Sequence, residues 1–350
     1  MLVEENKALG PFTTFGIGGP ARWFVEAMTE DDVAEAAAWA RERKLPLFVL
    51  GGGSNLLVSD AGFDGIVMRI ALRGIVVDCA KEEAMERTYR VGAGEDWDGF
   101  VQRTVQENCA GIECLAGIPG TVGGTPVQNV GAYGQEVASV VDRVRAFDLQ
   151  QHSCIEFSAG ECDFCYRKSR FNSVDAGRFV VTRVDYRLIP GGEPTVRYAD
   201  LQRALAEKQT ESRPSLEEVA SAVRGVRQAK GMLLVEGDPD CRSAGSFFKN
   251  PVVSEDQLRR VATVSEKDPP RFPAGPAQVK LPAAWLIEQA GFHKGYTLGA
   301  AAVSSRHTLA LINRGGATAR EILALATEIL NAVKVRFGIE LEMEPVRVGF

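Results

Sequence analysis

The chain has 350 residues, with 45% hydrophobic and 25% charged residues and a formal net charge of −6. That length calls for two or three domains, and no run approaches the roughly 20 apolar residues needed to span a bilayer. The acidic balance and the absence of a long Lys/Arg cluster argue against a nucleic-acid partner, and seven scattered cysteines argue against a disulfide framework.

Met1-Leu2-Val3-Glu4-Glu5-Asn6-Lys7 lacks an export-signal pattern, so a cytoplasmic protein is expected. Gly16-Ile17-Gly18-Gly19-Pro20-Ala21 matches G-x-G-x-x-A, but an aromatic strand-like run, Trp23-Phe24-Val25, follows where a helix should open. It is read as a turn near a cofactor. Thr29 with Asp32 caps a helix whose Val33, Ala36, Ala37 and Ala40 form one apolar face. Leu47-Phe48-Val49-Leu50 then reads as a buried strand completing a small βαβ unit.

That strand runs into Gly51-Gly52-Gly53-Ser54-Asn55-Leu56, a turn with no Cβ on three positions and with two side-chain donors after them. Such a turn presents several N–H groups to a phosphate, although an ordinary glycine turn between strands would look the same. A second glycine-rich stretch follows at Gly117-Ile118-Pro119-Gly120-Thr121-Val122-Gly123-Gly124, with Asn129-Val130-Gly131-Ala132-Tyr133-Gly134 after it. Two such loops could grip the two ends of a long cofactor.

Between and beyond these loops the spacing predicts two strands over 60–78, one over 88–91, an amphipathic helix over 96–107 and a strand over 179–188 with one face buried. Helices are predicted from about Asp200, from the Ser215/Glu218 and Ser254/Gln257 caps, over 281–290, and from Thr318 with Glu321 to Gly338. Pro269-Pro270-Arg271-Phe272-Pro273 reads as a loop, and 339–348 as a terminal strand. The mixed order gives an α+β protein. Cys162-Asp163-Phe164-Cys165 is formally C-x-x-C but has no second pair, and His152, His293 and His307 have no metal spacing, so no metal site is expected.

Taken together, the two glycine loops resemble the FAD-binding fold of the vanillyl-alcohol-oxidase (PCMH) type, and within it the family of UDP-N-acetylenolpyruvoylglucosamine reductases of peptidoglycan synthesis. The resemblance covers nearly the whole chain. It implies FAD-binding subdomains over residues 1–70 and 71–229, a substrate-covering loop near 191–213, and a substrate domain over 230–350 whose last strand could return to the FAD domain. It implies NADPH and a UDP-sugar nucleotide as the reacting partners, and a monomer. No His or Cys lies within either glycine loop to attack the isoalloxazine, so FAD is expected to be non-covalent.

Three motifs carry the expected chemistry. Gly245-Ser246-Phe247-Phe248-Lys249-Asn250-Pro251 resembles the family's proton-donor loop, which makes Ser246 the donor to a basic substrate carbon. Tyr166-Arg167 resembles the Y-R-x-S-x-F motif, whose arginine binds the substrate carboxylate, a role suited to its planar fork. Leu341-Glu342-Met343-Glu344-Pro345 resembles the family ending L-E-x-E-V-R, with Pro345 where valine is usual, so Glu344 is preferred over Glu342 as the catalytic carboxylate. By the same resemblance Tyr166, Tyr198, Lys230 and Asn250 are substrate-binding candidates. Another flavin oxidase or dehydrogenase of this fold, or a flavin- or nucleotide-binding carrier, remains the alternative.

Overall fold

The computed structural model describes residues 1–78, 85–206 and 213–350. The chain forms two compact units. One holds residues 1–7, 21–52 and 64–228; the other holds 8–20, 53–63 and 229–350. The chain passes from one unit to the other between Gln228 and Ala229, and residues 1–70, expected to form one subdomain, are shared between the units.

In the first unit, a four-stranded sheet orders Val3–Ala8, Pro20–Ala27, Phe63–Ile70 and Leu47–Leu50. Leu47–Leu50 pairs parallel with Phe63–Ile70, so the last strand of the expected βαβ unit is one position removed from the first. The helix Glu30–Glu42 between them is held by the Thr29/Asp32 capping box and buries the predicted Val33, Ala36, Ala37 and Ala40. A second, six-stranded sheet is built around Phe179–Pro190, which pairs antiparallel with Val141–Asp148, Arg87–Gly92 and Cys109–Ala110.

Phe179–Pro190 corrects the one-face expectation. Val181 and Asp185 are buried as well as Val180, Thr182, Val184, Tyr186 and Leu188, because both faces of the central strand are covered. Asp185 answers its burial with a hydrogen bond from Arg183 Nε at 2.7 Å. The helix Trp97–Gln106 is capped by Asp96, whose carboxylate accepts from the Gly99 N–H, and packs Trp97 and Phe100 against Tyr186 at ring separations of 5.8 and 5.3 Å.

The second unit contains the helices Glu255–Val264, Ala283–Gln289 and Ala319–Phe337, with two three-stranded sheets and a parallel pair of Leu56–Val58 with Val346–Val348. The helix Ala319–Phe337 opens on the Thr318/Glu321 box, closes on left-handed Gly338, and buries Ile322, Leu325, Ile329, Val333 and Phe337. Two expectations fail here. Phe272–Pro273 forms a short edge strand against Gln278–Lys280 rather than a loop, and the terminal strand is confined to Val346–Val348. Residues 342–344 are taken instead by a pairing with 247–249.

Candidate active site

In the first unit the two glycine turns meet. A Cβ on Gly52 would stand 2.4 Å from the Gly120 Cα and 2.9 Å from the Thr121 nitrogen, and one on Gly51 would stand 3.0 Å from the Thr121 hydroxyl. Only glycine permits that approach. The Thr121 hydroxyl is itself buried without a hydrogen-bond partner, and the Gly52 N–H donates to no group among the described residues. A buried hydroxyl without an internal partner needs an external one, and the exposed Gly52 N–H is open to the same acceptor, which a phosphate-bearing cofactor such as FAD would supply.

The Gly117 peptide is fixed from both sides by residues the sequence reading missed. Its N–H donates to Asp98 Oδ1 at 2.5 Å, and its carbonyl accepts from Arg227 Nε at 3.0 Å. Asp98 also pairs with Arg224. Burial holds the Arg227 guanidinium below its ordinary pKa. No local signal marks these residues, since each looks like an ordinary charge on a helix. Gly123 packs with its Cβ position 2.7 Å from the Ala93 methyl, so it too must stay glycine, while Gly124 has open space around it. Pro119 and Ile118 complete the turn, and the Ile118 N–H donates to the Leu115 carbonyl.

Asn129 has every polar atom of its side chain engaged inside the protein. Its amide donates to Glu136 and to the Cys165 carbonyl, and its oxygen accepts from the Ala138 N–H. It therefore builds the loop rather than offering donors from it. Gly131–Ala132 and Gln135–Glu136 form a tight hairpin with Tyr133 and Gly134, both at positive φ, as its turn. The Tyr133 ring meets Tyr198 edge-on at 5.8 Å, which joins the expected substrate-covering segment to the second glycine stretch. Residues 207–212 of that segment lie outside the described residues.

Tyr166 and Arg167 sit at the tip of a turn closed by mutual backbone hydrogen bonds of Cys165 and Lys168. Arg167 is at φ 54°, a left-handed conformation that costs a non-glycine residue about 1–2 kcal/mol. Its guanidinium donates to the Gly131 carbonyl at 2.6 Å and lies 5.2 Å from the Tyr166 ring, which is itself exposed. The neighbouring C-x-x-C is not a redox pair in character. Burial pushes the Cys162 thiol up to about 12, and its Sγ–H is donated to the Ser158 carbonyl. The six described cysteines are all free, and among the described residues no cluster of His, Cys, Asp or Glu is arranged to hold a metal.

In the second unit, the Phe247 carbonyl accepts from the Glu344 N–H and the Glu342 carbonyl accepts from the Lys249 N–H, both at 2.9 Å. This short pairing brings the Ser246 loop beside Glu344. Phe247 and Phe248 are buried beneath it, with Phe247 edge-on to Phe15, so the aromatic pair is the loop's foundation. The Ser246 hydroxyl, half-buried, has no hydrogen-bond partner among the described residues. Glu342 is exposed and paired with Lys249, which separates it from Glu344, half-buried in the same segment.

The later part of the first glycine loop also belongs to this unit. Asn55 donates from its amide to the Glu344 carbonyl and accepts at its own carbonyl from the Val346 N–H. Gly53 approaches the chain so closely that a Cβ would fall 1.8 Å from the Phe12 carbonyl oxygen. The N–H groups of Gly53, Ser54 and Asn55 have no acceptor among the described residues, and Leu56 opens the parallel pair with Val346–Val348. Thr14, unmarked in the sequence, bonds the Ser54 and Ser243 carbonyls through its hydroxyl and so ties the glycine loop to the serine loop. Asn250 accepts from the Ala283 N–H and thereby caps a helix; Lys230 lies half-buried at the start of the unit.

Comparison with known proteins shows the family and the fold. A family model described as an FAD binding domain matches residues 21–151, and one described as the UDP-N-acetylenolpyruvoylglucosamine reductase C-terminal domain matches residues 238–348. The UDP-N-acetylenolpyruvoylglucosamine reductase of Streptomyces avermitilis is 46% identical over 99% of this chain and 94% of its own, and that of Thermobifida fusca 44% over 99% and 98%. The crystal structure of the Thermus caldophilus enzyme superposes with a TM-score of 0.66 at 28% identity, covering 99% of each chain. The fold is thus the two-domain α+β, PCMH-type FAD-binding fold, and the chain is an FAD-binding oxidoreductase that belongs to the UDP-N-acetylenolpyruvoylglucosamine reductase family.

Proposed function

We propose that the protein catalyses NADPH-dependent reduction of UDP-N-acetylglucosamine enolpyruvate to UDP-N-acetylmuramate, in the cytoplasm, for peptidoglycan synthesis. The observation that supports this most is the pairing of residues 247–249 with 342–344, which sets a half-buried serine hydroxyl without an internal partner next to the segment carrying Glu344. FAD, held by residues 51–56 and 117–133, supplies when bound the hydride that NADPH provides and that substrate C3 receives.

The remaining chemistry falls to the side chains. Hydride addition at C3 places electron density on C2 and in the adjoining carboxylate. Arg167 binds that carboxylate with a fork already oriented by its bond to Gly131, so stabilisation precedes the developing charge, and Glu344 binds it as the protonated acid or through a bridging donor. A serine hydroxyl is a very weak acid, yet an enolate carbon is basic enough to take its proton, and Ser246 donates to C2. Lys230, Tyr166, Tyr198 and Asn250 bind the sugar nucleotide, Asn250 through the amide nitrogen left over from helix capping.

Ser246→Ala is the discriminating variant. FAD retention and flavin reduction by NADPH should stay near wild type, while reoxidation of the reduced flavin by the enolpyruvyl sugar nucleotide becomes very slow. Ser246→Cys restores part of that rate, since it keeps a proton at the site. Rapid-mixing absorbance separates the half-reactions, and an unaffected second half-reaction removes Ser246 from the mechanism.

A further inference from the structure

Glu113 is fully buried, and its carboxyl oxygens face N–H donors from three parts of the first unit. Oε2 accepts from the Gly111 N–H at 2.8 Å; Oε1 accepts from the Gln135 amide and from the Thr195 N–H, each at 2.8 Å. The Gln135 amide also donates to the Thr195 hydroxyl and accepts from the Cys114 N–H, and the Cys114 thiol donates to the Thr195 carbonyl at 3.0 Å. Thr195 is thereby held at its N–H, its carbonyl and its hydroxyl at once.

The two groups that share Oε1 carry the two tyrosines of the expected substrate site. Gln135 closes the hairpin whose turn is Tyr133-Gly134, and Thr195 stands three residues before Tyr198. The rings meet at 5.8 Å and 83°. A buried carboxyl that accepts only from N–H groups is costly unless all its donors are in place, so it registers the parts that supply them.

We propose that Glu113 is a positioning residue that, through Gln135 and Thr195, fixes the Tyr198 segment against the Tyr133 hairpin and so preorganises it for the sugar nucleotide. The assignment rests on the proposed function for its substrate. Preorganisation lowers the ordering cost of binding, so its loss appears in KM rather than in the chemical step.

Glu113→Gln sets an amide NH₂ against one of three N–H donors and breaks the cluster; Thr195→Val keeps shape and removes only the hydroxyl's bond. In Glu113→Gln, hydrogen exchange over residues 196–206 should accelerate while the helices Trp97–Gln106 and Leu216–Ala229 stay unchanged. KM for UDP-N-acetylglucosamine enolpyruvate should rise roughly tenfold, the effect of about one lost net hydrogen bond, and Thr195→Val should shift it less in the same direction. Flavin reduction by NADPH should stay within about twofold, and the KM effect should vanish in a Tyr198→Ala background. Unchanged exchange, an effect additive with Tyr198→Ala, or a joint fall of both half-reactions with loss of FAD would overturn the assignment. A wild-type protein inert toward that substrate would instead overturn the functional reading, and the exchange measurement would still decide on the clamp.

Discussion

Replacing Gly52 by alanine isolates the close approach of the two glycine turns. Gly52 is not among the positive-φ glycines, so alanine can adopt its backbone conformation and steric contact alone decides the outcome. The new methyl would lie 2.4 Å from the Gly120 Cα, 2.7 Å from its carbonyl carbon and 2.9 Å from the Thr121 nitrogen, all backbone atoms that no side-chain rotation can clear. Carbon atoms rest about 3.5–4.0 Å apart, so the turns must separate by about 1 Å. A shift of about that size carries an N–H donor out of the 2.7–3.2 Å range of a good hydrogen bond, and losing one such bond to a charged acceptor costs about 1.5–3 kcal/mol. FAD affinity should therefore fall by roughly 10- to 100-fold. Titrating apoprotein with FAD and following flavin fluorescence measures it. Gly225→Ala is the control: the position is an exposed helix site with nothing within 4 Å, so it should leave FAD binding unchanged and gain about 0.5–1 kcal/mol of stability. A Gly52→Ala protein that binds FAD as tightly as wild type would refute the packing argument.

Arg167→Ala should slow flavin reoxidation by the enolpyruvyl substrate on the order of 10²–10³-fold in stopped-flow, with Arg167→Lys intermediate, because a point charge replaces the fork. The Glu30 carboxyl is held at about 2, below its ordinary 4.5, chiefly by the hydrogen bonds from Arg145 at 2.7 and 2.9 Å. Since the folded-state value is depressed, its contribution to stability is complete above about pH 4.5 and is lost as pH falls through about 2. Wild type should thus melt higher than Glu30→Gln at pH 6, and the gap should narrow steadily below pH 4.5 in thermal scans. Acid precipitation should release all bound flavin into the supernatant, since no His or Cys lies in residues 51–57 or 117–134; colour in the pellet would show a covalent link.

Local signals were legible and distant ones were not. The boxes at Thr29/Asp32, Ser254/Gln257 and Thr318/Glu321 each lie within one helical turn, and all three form as read. The alternation in Phe179–Pro190 misled because burial of Val181 and Asp185 depends on what covers the second face, which no short window contains. Likewise 339–348 reads as one strand until 342–344 are claimed by 247–249, nearly a hundred residues away. At the site, glycine spacing pointed to both turns, but the contact of Gly52 with Gly120 and the hold of Asp98 and Arg227 on Gly117 exist only in three dimensions. Asn129 resembles a ligand-binding amide in sequence, and the fold engages its whole side-chain amide in loop building, whereas Asn250 caps a helix through its oxygen alone and keeps its amide nitrogen.

The two half-reactions of the proposed reductase can be watched in one anaerobic cuvette. Oxidised holoprotein receives a stoichiometric amount of NADPH, then UDP-N-acetylglucosamine enolpyruvate, while flavin absorbance is recorded. The proposed function predicts bleaching on the first addition and return of the oxidised spectrum on the second, with UDP-N-acetylmuramate formed in equal amount to the flavin restored. A flavin that NADPH leaves oxidised, or one that stays bleached after the enolpyruvyl sugar nucleotide is added, would contradict it.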